Sequence, residues 1–215
     1  HLIYLGYYGS EVTSDISVKK KRVEVTYNVN LGKRIPIRDI EYVLPARGPF
    51  AEAFVKDTAN MTIKPGDWLS ESALDAETVR SSAVLRNEGF YSFNKNYYFF
   101  EADTLSFPDS AILQLTINEY TRNESPRDAK PIRKFYIDDV SITYPKSLKF
   151  RNKVLEDLTT IYPGQVYSAD EINKTYSRLS ALKVFSSVNV GMTQCDTNKV
   201  NCSISLAQSK LQGFK

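Results

Sequence analysis

Residues 35–45 read IPIRDIEYVLP and residues 135–145 read FYIDDVSITYP, two copies of one pattern at a constant shift of one hundred residues. Ile35, Ile37, Ile40, Tyr42, Leu44 and Pro45 fall on Phe135, Ile137, Val140, Ile142, Tyr144 and Pro145. The same shift carries Phe50, Phe54, Thr58 and Met61 onto Phe150, Val154, Leu158 and Ile161. Alternating apolar positions mark a half-buried strand, whereas apolar positions four, eight and eleven apart mark one face of a helix. Each copy therefore opens with a strand and then a helix, and the phase break between Ile137 and Val140 marks a bulge.

Pro65-Gly66 and Pro163-Gly164 follow the first helix and turn the chain. A second helix is predicted at once, with Ser70 and Ser168 at its N-caps and Glu71 or Asp170-Glu171 in its first turn. In the second copy Ile172, Tyr176 and Leu179 form the predicted buried stripe. In the first copy Leu74 and Leu85 share a face with Thr78, Ser81 and Ser82, which predicts a more exposed helix. A glycine-aromatic corner comes next: Gly89-Phe90-Tyr91, with Lys183-Val184-Phe185 as its imperfect counterpart and Gly6-Tyr7-Tyr8 at the front. Two strands close each copy, residues 92–102 with 111–119, and Val188, Val190 and Met192 with Val200, Cys202, Ile204 and Leu206. The unit is β-α-α-β-β.

The front of the chain holds the last two strands of a further unit, with Val12, Ile16 and Val18 before a turn and Val23, Val25, Tyr27 and Val29 after it. The domain reading is residues 1–32 as the end of a truncated module, 33–120 and 133–208 as complete modules, 121–132 as a linker and 209–215 as a lead-in to a further element. Modules of this size are near the lower limit for independent folding, so neighbours should support one another. The polar stretch 121–133, with Pro126 and Pro131, is the expected hinge.

Twenty-eight basic residues against twenty-five acidic ones leave a net charge of +3, too balanced to imply a nucleic-acid partner. The run Lys19-Lys20-Lys21-Arg22 falls at a hairpin tip; it reads as a solvated turn or as a contact for anionic lipid headgroups. No stretch approaches the apolar length of a membrane-spanning helix and no cleavable signal peptide is legible, so a soluble segment is expected. Cys195 and Cys202 flank a turn-rich stretch. A six-residue loop would place them face to face for a disulfide, while a four-residue loop would pair Cys195 with Val200 and leave Cys202 reduced in the core; both readings stand.

Nothing in the sequence reads as an active site. His1 is the sole histidine, the cysteines lack metal-ligand spacing, and no glycine-rich phosphate loop occurs. Asp138 and Asp139 are strand neighbours that point to opposite faces. The run Tyr97-Tyr98-Phe99-Phe100 has two readings: alternate members fill a core, and the others put at least two rings on the outer face as a partner-binding patch.

The β-α-α-β-β order, the Pro-Gly before the second helix, the stretch Leu85-Arg86-Asn87-Glu88-Gly89-Phe90-Tyr91 and the closing Asn118-Glu119 resemble the polypeptide-transport-associated (POTRA) domains of BamA- and TamA-like outer-membrane assembly factors. Leu211-Gln212-Gly213-Phe214 is similar to the lead-in to the β-barrel of Bacteroidetes-type TamA-like chains. The last copy departs from the pattern at Lys183 and lacks the glutamate after Leu206-Ala207. The resemblance implies an α+β fold of tandem modules, each a three-stranded mixed sheet packed on two helices. It further implies a non-catalytic periplasmic arm without cofactors, in front of an outer-membrane barrel that lies outside this stretch and makes the membrane contact. Its partners would be unfolded outer-membrane proteins or peptides, captured by strand addition at the edge formed by the second strand of each module. The candidate edge residues are Asn94, Asn96, Tyr97, Tyr98, Phe99 and Phe100 in one module and Val188, Asn189, Val190 and Met192 in the other. Docking of accessory lipoproteins or of a periplasm-spanning protein, and a two-partner secretion transporter, are the alternatives.

Overall fold

The computed structural model describes residues 1–19, 22–145 and 152–208. Lys20-Lys21, Phe150 and the expected barrel lead-in at 209–215 lie outside the described residues. The elements are β1 (Glu11–Lys19), β2 (Arg22–Asn30), β3 (Ile37–Val43), α1 (Pro49–Thr58), α2 (Glu71–Asn87), β4 (Tyr98–Asp103), β5 (Ala111–Ile117), β6 (Tyr136–Thr143), α3 (Asn152–Leu158), α4 (Ala169–Ala181), β7 (Phe185–Asp196) and β8 (Lys199–Gln208).

Among the described residues three sheets form, ordered β1-β2, β3-β5-β4 and β6-β8-β7. The last strand of each complete repeat is central, pairing in parallel with the first and antiparallel with the second. A parallel pair needs a long crossover, and the two helices of each repeat supply it. The sheets are therefore mixed, and the expected bulge falls between Ile137 and Val140, with its counterpart between Ile37 and Asp39.

The repeat extends to individual hydrogen bonds around the proline-glycine turn. Gly66 N donates to Ile37 O and Gly164 N to Ile137 O, both at 2.7 Å. Leu69 N reaches Ile35 O at 2.8 Å, and Tyr167 N reaches Phe135 O at 2.9 Å. Gly66 and Gly164 have φ of 97° and 85°, a conformation that costs a glycine little. Lys183, at the departing corner, carries a φ of 54° without that relief.

The chain divides into two compact units, one of residues 1–46, 55–81 and 94–130 and the other of residues 47–54, 82–93 and 131–215. The grouping cuts across the sequence repeat because the glycine-aromatic corner belongs to the second unit. There Gly89 O accepts from Phe135 N at 2.9 Å, and the Tyr91 ring lies 5.0 Å from that of Tyr167 and 5.5 Å from that of Phe135. The second core is built on Ile137, Leu155, Tyr167, Leu179, Val200, Cys202, Ile204 and Leu206. In the first unit Ile37, Ile63, Leu69, Ala111 and Leu113 pack together. Of the expected hinge at 121–133, residues 121–130 are tied to the first unit, with Lys130 N donating to Glu119 O (2.8 Å) and Arg122 N to Asn96 O (3.0 Å).

Four helix expectations are corrected. The polar face of α2 is not exposed: Glu77, Thr78, Ser81 and Ser82 are all buried. It is satisfied by polar partners, with the Tyr98 hydroxyl donating to Ser81 Oγ at 2.8 Å. Arg80 grips Asp57 with Nη1 and Nη2 (3.0 and 2.8 Å) and Glu77 with Nε and Nη2 (3.1 and 2.6 Å), and Glu77 Oε2 also accepts from Thr62 N at 2.9 Å. In α4 the buried stripe runs through Thr175 and Leu179 while Tyr176 is exposed, and in α3 Leu155 takes the inward seat while Val154 faces out. Ser70 Oγ caps α2 by accepting from Ala73 N at 3.3 Å; Ser168 makes no such bond, and Asn87 Oδ1 takes Asp170 N at 2.9 Å instead.

Candidate functional site

The second strand of each complete repeat, β4 and β7, lies at the edge of its sheet. An edge strand presents backbone donors and acceptors that another chain can pair with, so its length, charges and blockages decide what it can bind.

The β4 edge is short and blunted at its start. Asn94, Asn96 and Tyr97 were candidates for this edge, but they precede the strand in a 3-10 turn capped by Asn94 Oδ1, which accepts from Asn96 N at 2.9 Å. The expected strand start at residue 92 is thus corrected to Tyr98. Tyr98 N donates to Lys95 O, and Tyr98 O accepts from Arg122 Nε at 2.9 Å, so both outward groups of the first strand residue are engaged. Backbone groups alternate sides along an antiparallel strand. Phe100 and Ala102 therefore turn their N–H and C=O to the open side. Glu101 and Asp103 add charge to a strand of six residues. A cleft of about 620 Å³ lies beside it, lined by Leu74, Asp75 and Thr78 of α2 with Phe100, Lys95 and Arg122.

The four aromatic residues do not form an exposed patch. Tyr98 is fully buried, and burial holds its hydroxyl well above the ordinary tyrosine range. Phe99 packs edge-on against Tyr120 at 5.6 Å, and Phe100 packs on the core of the first unit. The expectation of at least two outward rings fails because the residues after β5 fold back over this end of the sheet.

The β7 edge is different in kind. It runs for twelve residues, and Phe185 to Cys195 contain neither a charge nor a proline in a chain that is 25% charged. Cys202 O faces β6, where Ser141 Oγ donates to it at 3.4 Å, and Met192 O accepts from the Tyr91 hydroxyl at 3.3 Å. The Met192–Cys202 pair is thus a non-hydrogen-bonded pair of the ladder, and Val188, Val190 and Met192 turn their backbone groups outward. Their side chains are half-buried against the core, while Asn189 and Thr193 are exposed on the opposite face. The edge sheet is apolar on one side and polar on the other.

The register overturns the disulfide reading. Thr197-Asn198 alone makes the turn, Asp196 pairs with Lys199 and Gln194 with Val200, and Cys195 sits at the bulge between them. Cys202 pairs with Met192 instead; both thiols are free, Cys195 exposed and Cys202 buried. Burial pushes the Cys202 thiol up to about 11. Alkylation proceeds through the thiolate. Iodoacetamide at pH 8 is therefore expected to modify one cysteine per folded chain and two in urea, as counted by intact mass; a bridged pair would give none.

Among the described residues no group of three or more His, Cys, Asp or Glu side chains is placed to hold a metal ion, and no helix is long and apolar enough to cross a membrane.

No protein-family model and no curated protein sequence matches the chain. Solved structures do. POTRA domains 3–5 of Haemophilus influenzae BamA match over 96% of this chain and 76% of that one, with a TM-score of 0.58 at 16% identity. BamA of Haemophilus ducreyi lacking POTRA domains 1–3 matches over 81% of this chain, which spans 29% of that structure, with a TM-score of 0.60 at 11% identity. At such identities the likeness concerns the fold, and the α+β repeat with its central third strand is the fold of tandem POTRA domains.

Proposed function

We propose that this chain is a non-catalytic periplasmic arm of an outer-membrane barrel protein, and that it receives unfolded outer-membrane proteins by adding their strands to the β7 edge. The observation that carries the reading is the uncharged, proline-free run from Phe185 to Cys195 on the open side of a three-stranded sheet. Edges left to solvent are usually protected by charge, proline or cover, and β4 has two of these devices. Among the described residues, β7 has the Tyr91 hydroxyl on Met192 and, along Val188 and Val190, none of these.

Strands of membrane barrels are segments of about ten residues in which apolar and polar side chains alternate. Added to β7, such a strand would continue the apolar side formed by Val188, Val190 and Met192 and the polar side formed by Asn189 and Thr193. Main-chain pairing gives the grip and alternation gives a mild preference, which suits a receptor for many clients. The likeness to BamA POTRA structures supports the reading at the level of fold.

Titration of the isotope-labelled chain with a synthetic peptide of alternating valine and threonine, about ten residues long as in a barrel strand, tests it. Amide shifts are expected at residues 188–194, with smaller ones at Phe100 and Ala102. Shifts confined to the outer faces of α3 and α4 would sink strand capture and favour a docking scaffold.

A further inference from the structure

The hairpin at the front of the chain carries a surface that strand capture does not use. Its register pairs Val12 with Val29, Ser14 with Tyr27, Ile16 with Val25 and Val18 with Val23, so all eight side chains share one face. The opposite face is polar throughout, from Glu11, Thr13 and Asp15 to Thr26, Asn28 and Asn30. The apolar face is open: Ile16, Val18 and Tyr27 are each 68% exposed and Val25 is 44% exposed. Neither β1 nor β2 pairs with any third strand among the described residues.

Residues 1–8 identify what belongs on that face. Leu5 N donates to His1 O (3.2 Å), Gly6 N to Ile3 O (2.8 Å) and Tyr7 N to Leu2 O (3.0 Å). The end of α2 has the same three bonds at the same offsets: Glu88 N to Val84 O (3.1 Å), Gly89 N to Arg86 O (3.4 Å) and Phe90 N to Leu85 O (3.2 Å). Gly6 and Gly89 both have left-handed φ, 88° and 108°, and the set is the Schellman stop of a helix. The correspondence continues into the following helix. Ser72 N, in the first turn of α2, donates to Tyr4 O at 3.0 Å, just as Asp170 N, in the first turn of α4, donates to Asn87 Oδ1 at 2.9 Å.

We infer that His1 to Leu5 is the last turn of a helix equivalent to α2, and that β1 and β2 are the second and third strands of a module whose other parts precede His1. In both complete repeats the third strand is central and takes the first strand in parallel on its other side. The occupant of this surface is therefore the preceding segment of the same polypeptide, of a length like residues 37–83. It brings one strand parallel to β2 and two helices that cover Val12, Ile16, Val25 and Tyr27.

Hydrogen exchange on the full-length polypeptide, compared with the present chain, tests the assignment. Amides of β2 that point away from β1 should exchange on the order of 100-fold more slowly in the full-length protein, because pairing converts open edge groups into ladder bonds. Equal rates in the two proteins, with β5 and β8 equally protected in both as a control for folding, would overturn it. A dimer of the present chain that Val25→Lys dissociates, with β2 still unprotected in the full-length protein, would overturn it as well and assign the face to a second copy.

Discussion

Replacing Arg80 by methionine is expected to lower the stability of the first unit by about 3–5 kcal/mol, the range for removing one partner of a buried ionic group. Arg80 stands between two carboxylates that are almost wholly buried, Asp57 and Glu77, and makes a two-pronged contact with each. Those bonds hold its guanidinium above its ordinary value. Without it, two negative charges remain in the core with Thr62 as the neutral donor on Glu77. Trp68, the sole tryptophan of the sequence, belongs to this unit and reports its unfolding by fluorescence. With urea slopes of about 1–3 kcal/mol per M, the midpoint should fall by roughly 1–5 M. Adding Asp57→Asn and Glu77→Gln to Arg80→Met should restore most of the loss, because the cost lies in the unpaired charges. A midpoint shift below about 0.5 M for the single variant, on that same scale, would show that the network contributes little.

The second unit argues that this fold needs the link and not the charge. Thr160 N donates to Thr175 Oγ1 at 3.0 Å, where Thr62 N donates to Glu77 Oε2 in the first unit, and Thr175 is fully buried. Two neutral hydroxyls thus join loop to helix in one repeat, and an ion network does so in the other.

The same comparison explains what could be read from the amino-acid pattern. Ile37 with Ile137, Met61 with Ile161 and the two proline-glycine turns are local signals repeated twice, and repetition separates a signal from a coincidence. Periodicity assigns the face of α2 to solvent because it weighs side chains by polarity alone. Glu77, Thr78 and Ser81 are buried through partners such as Arg80, Asp57 and Tyr98, whose distance in sequence hides them. The hairpin register between Cys195 and Cys202 was beyond reach for a related reason: a two-residue turn followed by a bulge moves each cysteine relative to the other, and composition does not determine where a bulge falls. At the aromatic run, Tyr97 to Phe100 have the composition of a strand throughout, yet the asparagine cap at Asn94 sets Tyr97 in a turn and Arg122 clasps the carbonyl of Tyr98. The edges themselves follow from the order of the elements; which edge is open depends on distant residues, Arg122 at one and Tyr91 at the other.

That difference leads to the sharpest expectation for client binding. Val190→Pro should weaken capture of an alternating strand peptide roughly 10- to 100-fold, whereas Ala102→Pro should change it less than about two-fold. Proline removes the outward N–H of residue 190, and its ring interrupts the bonds on either side, so two or three main-chain bonds are lost at about 0.5–1.5 kcal/mol each. The β8 ladder is spared, because residue 190 turns its backbone away from it, and edge strands tolerate proline for this reason. At β4 the open stretch is confined to Phe100 and Ala102, behind Arg122, too short to hold a strand alone. Calorimetric titration of both variants, with Cys202 still protected from alkylation as the sign of an intact second core, separates the two edges. Equal losses at both would mean that β4 opens despite its clasp; no loss at Val190→Pro would remove β7 as the site of capture.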